Sequence, residues 1–326
     1  MSYYVGAYAA SPNTASWDPE LEARYYARLR GLPNIKGLEH PFLGSLHPHD
    51  DAWFVRHIDP SWRFIFTCIP GMMAAMAKNP MVGLASDDAP GREAALAFVR
   101  QARDAIAALN AACGQPVVDA IEIHSAPDQS RAASSVAALT ASLATLVQWD
   151  WQGARLVIEH CDAHVPGQVA SKGFLNLADE ITAIKATNAR YGSDVGIVVN
   201  WGRSVLEARS AEGALQHIRL AKQHGVLAGL MFSGASGQDT PYGAWRDSHM
   251  PPAPATAGGM GAEGSLLTDA ALHDCLVASD GRQLPILGLK IGIRPLDASL
   301  DERMAHIGSA LSRLDAAALA ARQRTP

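Results

Sequence analysis

Short runs of β-branched and apolar residues alternate along the chain with longer Ala- and Leu-rich stretches whose apolar positions recur at helical spacing. Parallel strands joined by crossover helices produce this alternation. Eight strand-like runs stand out: YYVGAY (3–8), IKGLEH (35–40), WRFIFTCI (62–69), VDAIEIHS (118–125), ARLVIEHC (154–161), VGIVVN (195–200), VLAGLMFS (226–233) and PILGLKIGI (285–293). Eight strands with helices between them close a (β/α)8 TIM barrel, whereas an open doubly wound sheet usually stops sooner. Helix ends are legible too. The segment 19–32 opens with acidic residues and stops at Gly31 and Pro33; 91–113 stops at Gly114 and 175–191 at Gly192. Thr268 before AALHDCL is an N-cap signal, and a last helix from Ser299 to about Arg322 is expected to cover the final strand.

No internal repeat and no domain linker interrupts this alternation, so residues 1–326 read as one TIM-barrel domain of the α/β class. Two connections exceed simple turns. A Met-rich stretch (70–90) follows the third strand, and a Gly/Pro-rich one (234–267) follows the seventh. Loops longer than ~15 residues are usually lids, binding loops or insertions, and both would lie on the C-terminal face of a barrel.

Strand parity sorts side chains into those that meet the helices and those that enter the barrel. In the eighth run Leu287, Leu289, Ile291 and Ile293 form a helix-facing set, which leaves Gly288, Lys290 and Gly292 inside. Ile121 and Ile123 turn Glu122 and His124 inward; Leu38 does the same for Glu39, and Leu156 and Ile158 for Glu159. Thr67 and Ser233 end the third and seventh runs, while parity in the sixth run is ambiguous because it is apolar throughout. Buried carboxylates and a buried lysine cost several kcal/mol unless paired. Such a ring is therefore either a salt-bridged plug, with Lys290 neutralising a glutamate, or a site for acid–base chemistry.

Composition narrows the partner. With 48% hydrophobic and 18% charged residues the chain is neither disordered nor fibrous. Its 27 basic and 32 acidic residues give a net charge of −5 and no basic cluster, which argues against nucleic acid and anionic membrane as partners. Cys68, Cys113, Cys161 and Cys275 form no CxxC pair, and neither a basic leader nor an apolar run of ~18 residues is present. A cytoplasmic protein with reduced thiols and a small-molecule ligand is expected, with a homo-oligomer left open.

The segment LVIEHCDAHVPGQVASKGFLNLADEITAI (156–184) resembles the xylose isomerase-like TIM-barrel superfamily of sugar isomerases, epimerases and endonuclease IV-type nucleases. The resemblance extends more weakly over the eight-strand layout. It puts Glu159 in the place of the first metal-ligand glutamate, turns Asn200 inward, and implies a divalent metal held by carboxylates and histidine. Such an ion would polarise substrate oxygens beside a migrating proton. The pattern then departs: where the superfamily has an aspartate followed three residues later by a histidine, this chain has Asn200 and Arg203. Ser233 replaces a histidine and Lys290 a carboxylate. A lysine there repels a divalent ion, so the expectation is no metal, an ammonium filling its volume, with Mn, Zn, Mg or Co as the alternative. Glu122, His124 and Glu159 are the types a different site would need; the clusters EHCDAH (159–164) and HPHDD (47–51) read as polar loops.

In a metal-free site Glu159 and either Glu122 or Glu39 would be the carboxylate pair, with Lys290 and Asn200 holding a developing enediolate oxygen. His124, Asn200, Arg203 and Ser233 are candidate substrate contacts. So are Asp239, Tyr242, Trp245 and His249 from the long seventh loop, whose aromatic and polar mixture suits a carbohydrate or else pads an oligomer interface. The resemblance favours a sugar or keto-sugar isomerase or epimerase. The same carboxylates could serve a glycoside hydrolase or lyase, and a third reading is a non-enzymatic sugar binder with a degenerate metal site. A Schiff-base role for Lys290 is opposed by its carboxylate neighbours, and nuclease action by the acidic charge and the missing histidines.

Overall fold

The computed structural model describes residues 1–14, 16–280 and 284–323. Eight parallel strands close in sequential order: β1 (Tyr3–Val5), β2 (Ile35–Pro41), β3 (Arg63–Thr67), β4 (Val118–Ile123), β5 (Arg155–His160), β6 (Gly196–Asn200), β7 (Leu227–Phe232) and β8 (Ile286–Leu289). Around them run α1 (Pro19–Arg30), α2 (Asp51–His57), α3 (Ile69–Lys78), α4 (Ala89–Cys113), α5 (Val136–Leu146), α6 (Leu177–Tyr191), α7 (Trp201–Ala208), α8 (Ala211–Gln223), α9 (Asp269–Ser279) and α10 (Leu300–Gln323).

The expected stops operate as capping chemistry. Gly114 and Gly192 take the left-handed conformation that ends α4 and α6, and the Thr268 side chain accepts from the Ala271 amide to start α9. The Met-rich stretch is a loop only over residues 79–88. Pro70 fits the first turn of α3, and Met72 and Met76, one helical turn apart, are buried on its inner face. The connection after β7 is irregular from Ser233 to Thr268, as expected. The first run is shorter than expected: β1 stops at Val5 and the chain turns into a short 3-10 helix, Ala7–Ala10.

Two apolar layers support the fold. The larger joins the outward faces of the strands to the helices; a second fills the barrel with Tyr4, Ile65, Ala120, Val157, Val198, Ala228, Met231 and Ile286. The N-terminal end is closed by Asp119, which accepts from the Tyr4 hydroxyl and from Arg63 Nε (2.9 Å) and pairs with Lys36 (2.9 Å). Among the described residues no helix is long and apolar enough to cross a membrane.

Candidate active site

Two residues beyond the interior layer on each strand, the alternation carries a polar side chain to the same level. Ile65 leads to Thr67, Ala120 to Glu122, Val157 to Glu159, Val198 to Asn200 and Met231 to Ser233; Glu39 and Lys290 complete the ring. The parallel register sets Thr67 beside Glu122, and all seven side chains belong to residues no more than 1% exposed.

Glu159 is the hub. Its Oε1 accepts from Asn200 Nδ2 (2.8 Å) and Lys290 Nζ (3.4 Å), while Oε2 lies 2.7 Å from Arg203 Nη1 and 2.9 Å from His124 Nε2. Burial alone would raise this carboxyl, but Arg203 and Lys290 hold it well below the usual range, so it is ionised. Lys290 Nζ also lies 2.5 Å from Glu39 Oε1, and despite burial the two carboxylates keep the ammonium charged. Glu122 is the opposite case. Neither of its oxygens receives a hydrogen bond, and burial, reinforced by the charges of Glu159 and Glu39, pushes it well above the usual carboxylate range. Glu39 is raised by burial, with Lys290 pulling the other way. Burial pushes His124 down to about 4, so it is neutral at pH 7 and Nε2 bears the hydrogen given to Glu159.

Arg203 is placed by the start of α7, where Asn200 Oδ1 caps the helix by accepting from the Arg203 amide (3.3 Å). Its Nε donates to Asp247 Oδ2 (3.1 Å), which also pairs with Lys172 (3.0 Å); Asp247 Oδ1 lies 3.3 Å from His249 Nδ1. Ser233 Oγ is 2.9 Å from that same His249 nitrogen, and burial pushes the imidazole down to about 3.

A divalent ion does not fit this donor set. Oxygens of Glu39, Glu122 and Glu159 come within 4.8 Å of one another, yet the Lys290 ammonium lies against Glu39 and Glu159. His124, Glu159 and Cys161 also converge, but Arg203 Nη1 sits 2.7 Å from Glu159 Oε2 and 3.2 Å from Cys161 Sγ. Two fixed cations hold the positions an ion would need, and both Glu159 oxygens are engaged.

A cavity of about 170 Å³ opens above Glu39 and Tyr8. The Tyr8 ring lies 5.6 Å from Lys290 Nζ. Across the cavity Trp17 stacks on His49 (4.9 Å, 8°) and donates through Nε1 to Glu22 (2.5 Å). His47 Nδ1 accepts from the His49 and Asp50 amides, which fixes Nε2–H toward Glu22 at 3.3 Å. HPHDD is solvated at Pro48, His49 and Asp51, as a polar loop is, but His47 is 5% exposed, and the segment walls the cavity and starts α2 through the Asp50 cap. At the floor Gly6 is required by close approach, since a Cβ there would stand 2.6 Å from Glu39 Oε2 and 2.7 Å from Lys290 Cγ.

The fold therefore brings together Glu39, Glu122, Glu159, Lys290, His124, Asn200 and Arg203, with Ser233 and His249 at the edge. Three expected contacts lie elsewhere. Asp239 is exposed and lines a separate surface cleft with Tyr242, whose hydroxyl donates to the Gly292 carbonyl (3.2 Å). Trp245 packs on the Arg209 guanidinium, 4.9 Å away, and bridges two outer loops instead of facing the ring. Composition of that loop carried no directional information. Sequence reasoning missed Lys172, Tyr8 and Trp17; it named Asp247 only as one of the long loop's polar residues and His47 only as part of a polar loop. EHCDAH disperses as a polar loop does: His160 turns to the helix side, and Asp162 Oδ2 accepts from the Ser171 and Lys172 amides (2.6 and 2.9 Å).

Residues 4–306 match a family described as a domain of unknown function, DUF4862. The chain is 35% identical over 291 residues, 89% of each chain, to the uncharacterized protein STM3670 of Salmonella typhimurium strain LT2. Among solved structures it is similar to a xylose isomerase domain protein from Planctomyces limnophilus (13% identity, 99% and 98% of the two chains, TM-score 0.56). It is also similar to a D-allulose 3-epimerase from Methylomonas sp. (13%, 97% and 100%, TM-score 0.53). At these identities the likeness establishes a shared (β/α)8 barrel fold.

Proposed function

The chain belongs to the DUF4862 family, and on that premise we propose that it is a sugar or keto-sugar isomerase or epimerase that moves a proton between carboxyl groups without a divalent ion. One observation carries the reading. Glu39 borders the cavity and contacts Lys290, while Glu122 lies beside it. Burial raises both carboxyls, but the Lys290 ammonium opposes the rise more strongly at Glu39, and neighbouring carboxyls whose surroundings push their proton affinities apart suit acid–base chemistry at one pH.

In this mechanism the Glu39 carboxylate removes the proton from the carbon next to a carbonyl. The C–H electron pair moves into the new C=C bond and the carbonyl pair onto oxygen, where the Lys290 ammonium stabilises the enediolate. A proton returned to the former carbonyl carbon, with the neighbouring hydroxyl giving up its proton to the first oxygen as its own C=O forms, completes an isomerisation; one delivered to the opposite face of the original carbon, from Glu122, as the carbonyl re-forms completes an epimerisation. Glu159 anchors the arrangement. Four donors hold it and depress its pKa, so it is a poor base, and its part is to fix Lys290, Arg203 and His124. The names of the barrels similar in fold, an isomerase-domain protein and an epimerase, agree with this reading. Glycoside cleavage is less well served, because the ammonium occupies the space between Glu39 and Glu159 where a glycosidic bond would pass.

Incubation with a panel of aldoses and ketoses in D2O tests the proposal. Solvent deuterium is expected at the carbon next to the carbonyl, and Glu39→Gln should slow that exchange by about 10²–10⁴-fold. Wild-type protein that exchanges none of these sugars, or exchange that survives Glu39→Gln, would sink it.

A further inference from the structure

Successive residues of β5 serve opposite sides of the barrel wall. Glu159 enters the barrel; His160, fully buried, turns toward the helices. His160 Nδ1 lies 2.8 Å from Glu180 Oε2 on α6, and Nε2 is 3.2 Å from Glu207 Oε2 on α7. From α8, His217 approaches the same carboxylate, Nε2 at 3.5 Å from Glu207 Oε1, while its Nδ1 is 3.0 Å from Ser204 Oγ. The two imidazoles meet edge to face, centroids 4.9 Å apart.

We propose that His160, Glu207 and His217 form a binding site for a zinc-class divalent ion, separate from the barrel ring and independent of the reaction proposed for it. One ligand atom from each lies within 4.8 Å of the others. His160 Nε2 and His217 Nε2 stand 3.2 and 3.5 Å from Oε2 and Oε1 of Glu207, on either side of the roughly 3.3 Å that tetrahedral bonds of about 2.0–2.1 Å impose between ligand atoms. Two imidazoles and a carboxylate suit a borderline ion such as Zn²⁺ or Co²⁺.

The surroundings are built as metal-ligand surroundings are. Each histidine has its remote nitrogen fixed, His160 by the Glu180 carboxylate and His217 by the Ser204 hydroxyl, which orients both Nε2 atoms toward Glu207. Glu180 in turn accepts from Ser125 Oγ (2.5 Å), and Glu207 from the Ala163 amide (2.8 Å). With neutral imidazoles the two carboxylates carry two negative charges, which a divalent ion balances. Unlike the barrel ring, among the described residues no lysine or arginine pairs with His160, Glu207, His217 or Glu180. Side chains of Glu207 and His217 are 14% and 15% exposed, which gives an ion a path in and leaves the fourth position to water. The competing occupant is a proton, with His160 as an imidazolium between Glu180 and Glu207.

The experiment is titration of metal-stripped full-length protein with Zn²⁺ by calorimetry and with Co²⁺ by visible absorbance. One equivalent should bind, with the cobalt band of a four-coordinate N/O site. Glu180→Gln should weaken binding about 10–100-fold and His217→Gln at least as much, while Glu39→Gln in the barrel leaves it unchanged. Circular dichroism establishes that the variants are folded, and the wild-type titration stands without them. Absence of uptake by the wild type overturns the proposal. So does affinity that is unchanged in His217→Gln, or lost in Glu39→Gln.

Discussion

At Glu159 one carboxylate balances two buried cations, Arg203 and Lys290, and orders a neutral histidine. Removing one partner of a buried pair costs more than the pair contributes, because the remaining charge stays desolvated. Glu159→Gln is isosteric but leaves Arg203 with Asp247 and Lys290 with Glu39 alone. Its expected cost is about 3–5 kcal/mol in urea unfolding; an unchanged midpoint would show that Glu159 is not the charge that holds the ring. His40 gives a separate pH signature. It is packed among Phe54, Phe64 and Phe66, its Nε2 is 2.5 Å from the Leu46 carbonyl, and burial lowers its pKa from 6.5 to about 4. A depressed imidazole contributes stability that is present above pH 6.5 and lost as pH falls toward 4, because the unfolded chain takes up the proton first. Up to about 3 kcal/mol is at stake, and the stability of His40→Met should fall less steeply than wild type across that window. Equal slopes would remove His40 as a source of acid lability. Parity made Glu39, Glu122, Glu159 and Lys290 legible as inward residues, since alternation is local. Their protonation is not legible: it depends on which charges stand a few ångströms away, and Asp247 reaches Arg203, with Lys172 paired to Asp247, through loops whose course no local pattern encodes.

Asn200 joins an element to the site. As the last residue of β6 and the N-cap of α7 it satisfies the Arg203 amide through Oδ1 and supplies Nδ2 to Glu159. Asn200→Asp keeps the cap but replaces a donor with a carboxylate facing Glu159; Asn200→Ala loses both, about 1 kcal/mol of it from the cap. If the Glu159 contact matters, Asp is the worse replacement for turnover although it is the better cap. The ratio of catalytic rates of the two variants, read beside their melting curves, decides this, and the reverse order would contradict it. Elements with caps and long apolar periods were readable, as α4 and α6 show. The segment after β3 reads as a loop because its Met and Ala residues lack a polar face to mark a period; α3 is only ten residues long and buries Met72 and Met76. Helix α2, seven residues long, was hidden in the same way behind HPHDD. Short helices draw their stability from packing more than from propensity, so their sequences advertise them weakly.

For the whole molecule the critical event is closure of β1 on β8, which joins the first strand to the last. Closure puts Tyr8 and Gly6 against Lys290, so the floor of the cavity exists only when both chain ends are docked. Arg303 on α10 secures this seam. It is 2% exposed, and its guanidinium donates to the carbonyls of Ala10 (3.1 Å), Ser11 (3.2 Å), Ala298 (2.9 Å) and Leu296. A planar fork engaging four carbonyls cannot be replaced by an ammonium, so Arg303→Lys should behave as a loss. Hydrogen bonds to a charged group contribute about 1.5–3 kcal/mol each at most and are not additive here, which sets the expected destabilisation at a few kcal/mol. Because the seam carries the turn that bears Tyr8, Arg303→Lys should also weaken sugar binding at temperatures where the protein is still folded. A raised KM with unaltered kcat well below the melting transition would locate the effect in the cavity floor. Loss of stability with unchanged KM would confine Arg303 to holding the ends of the chain together.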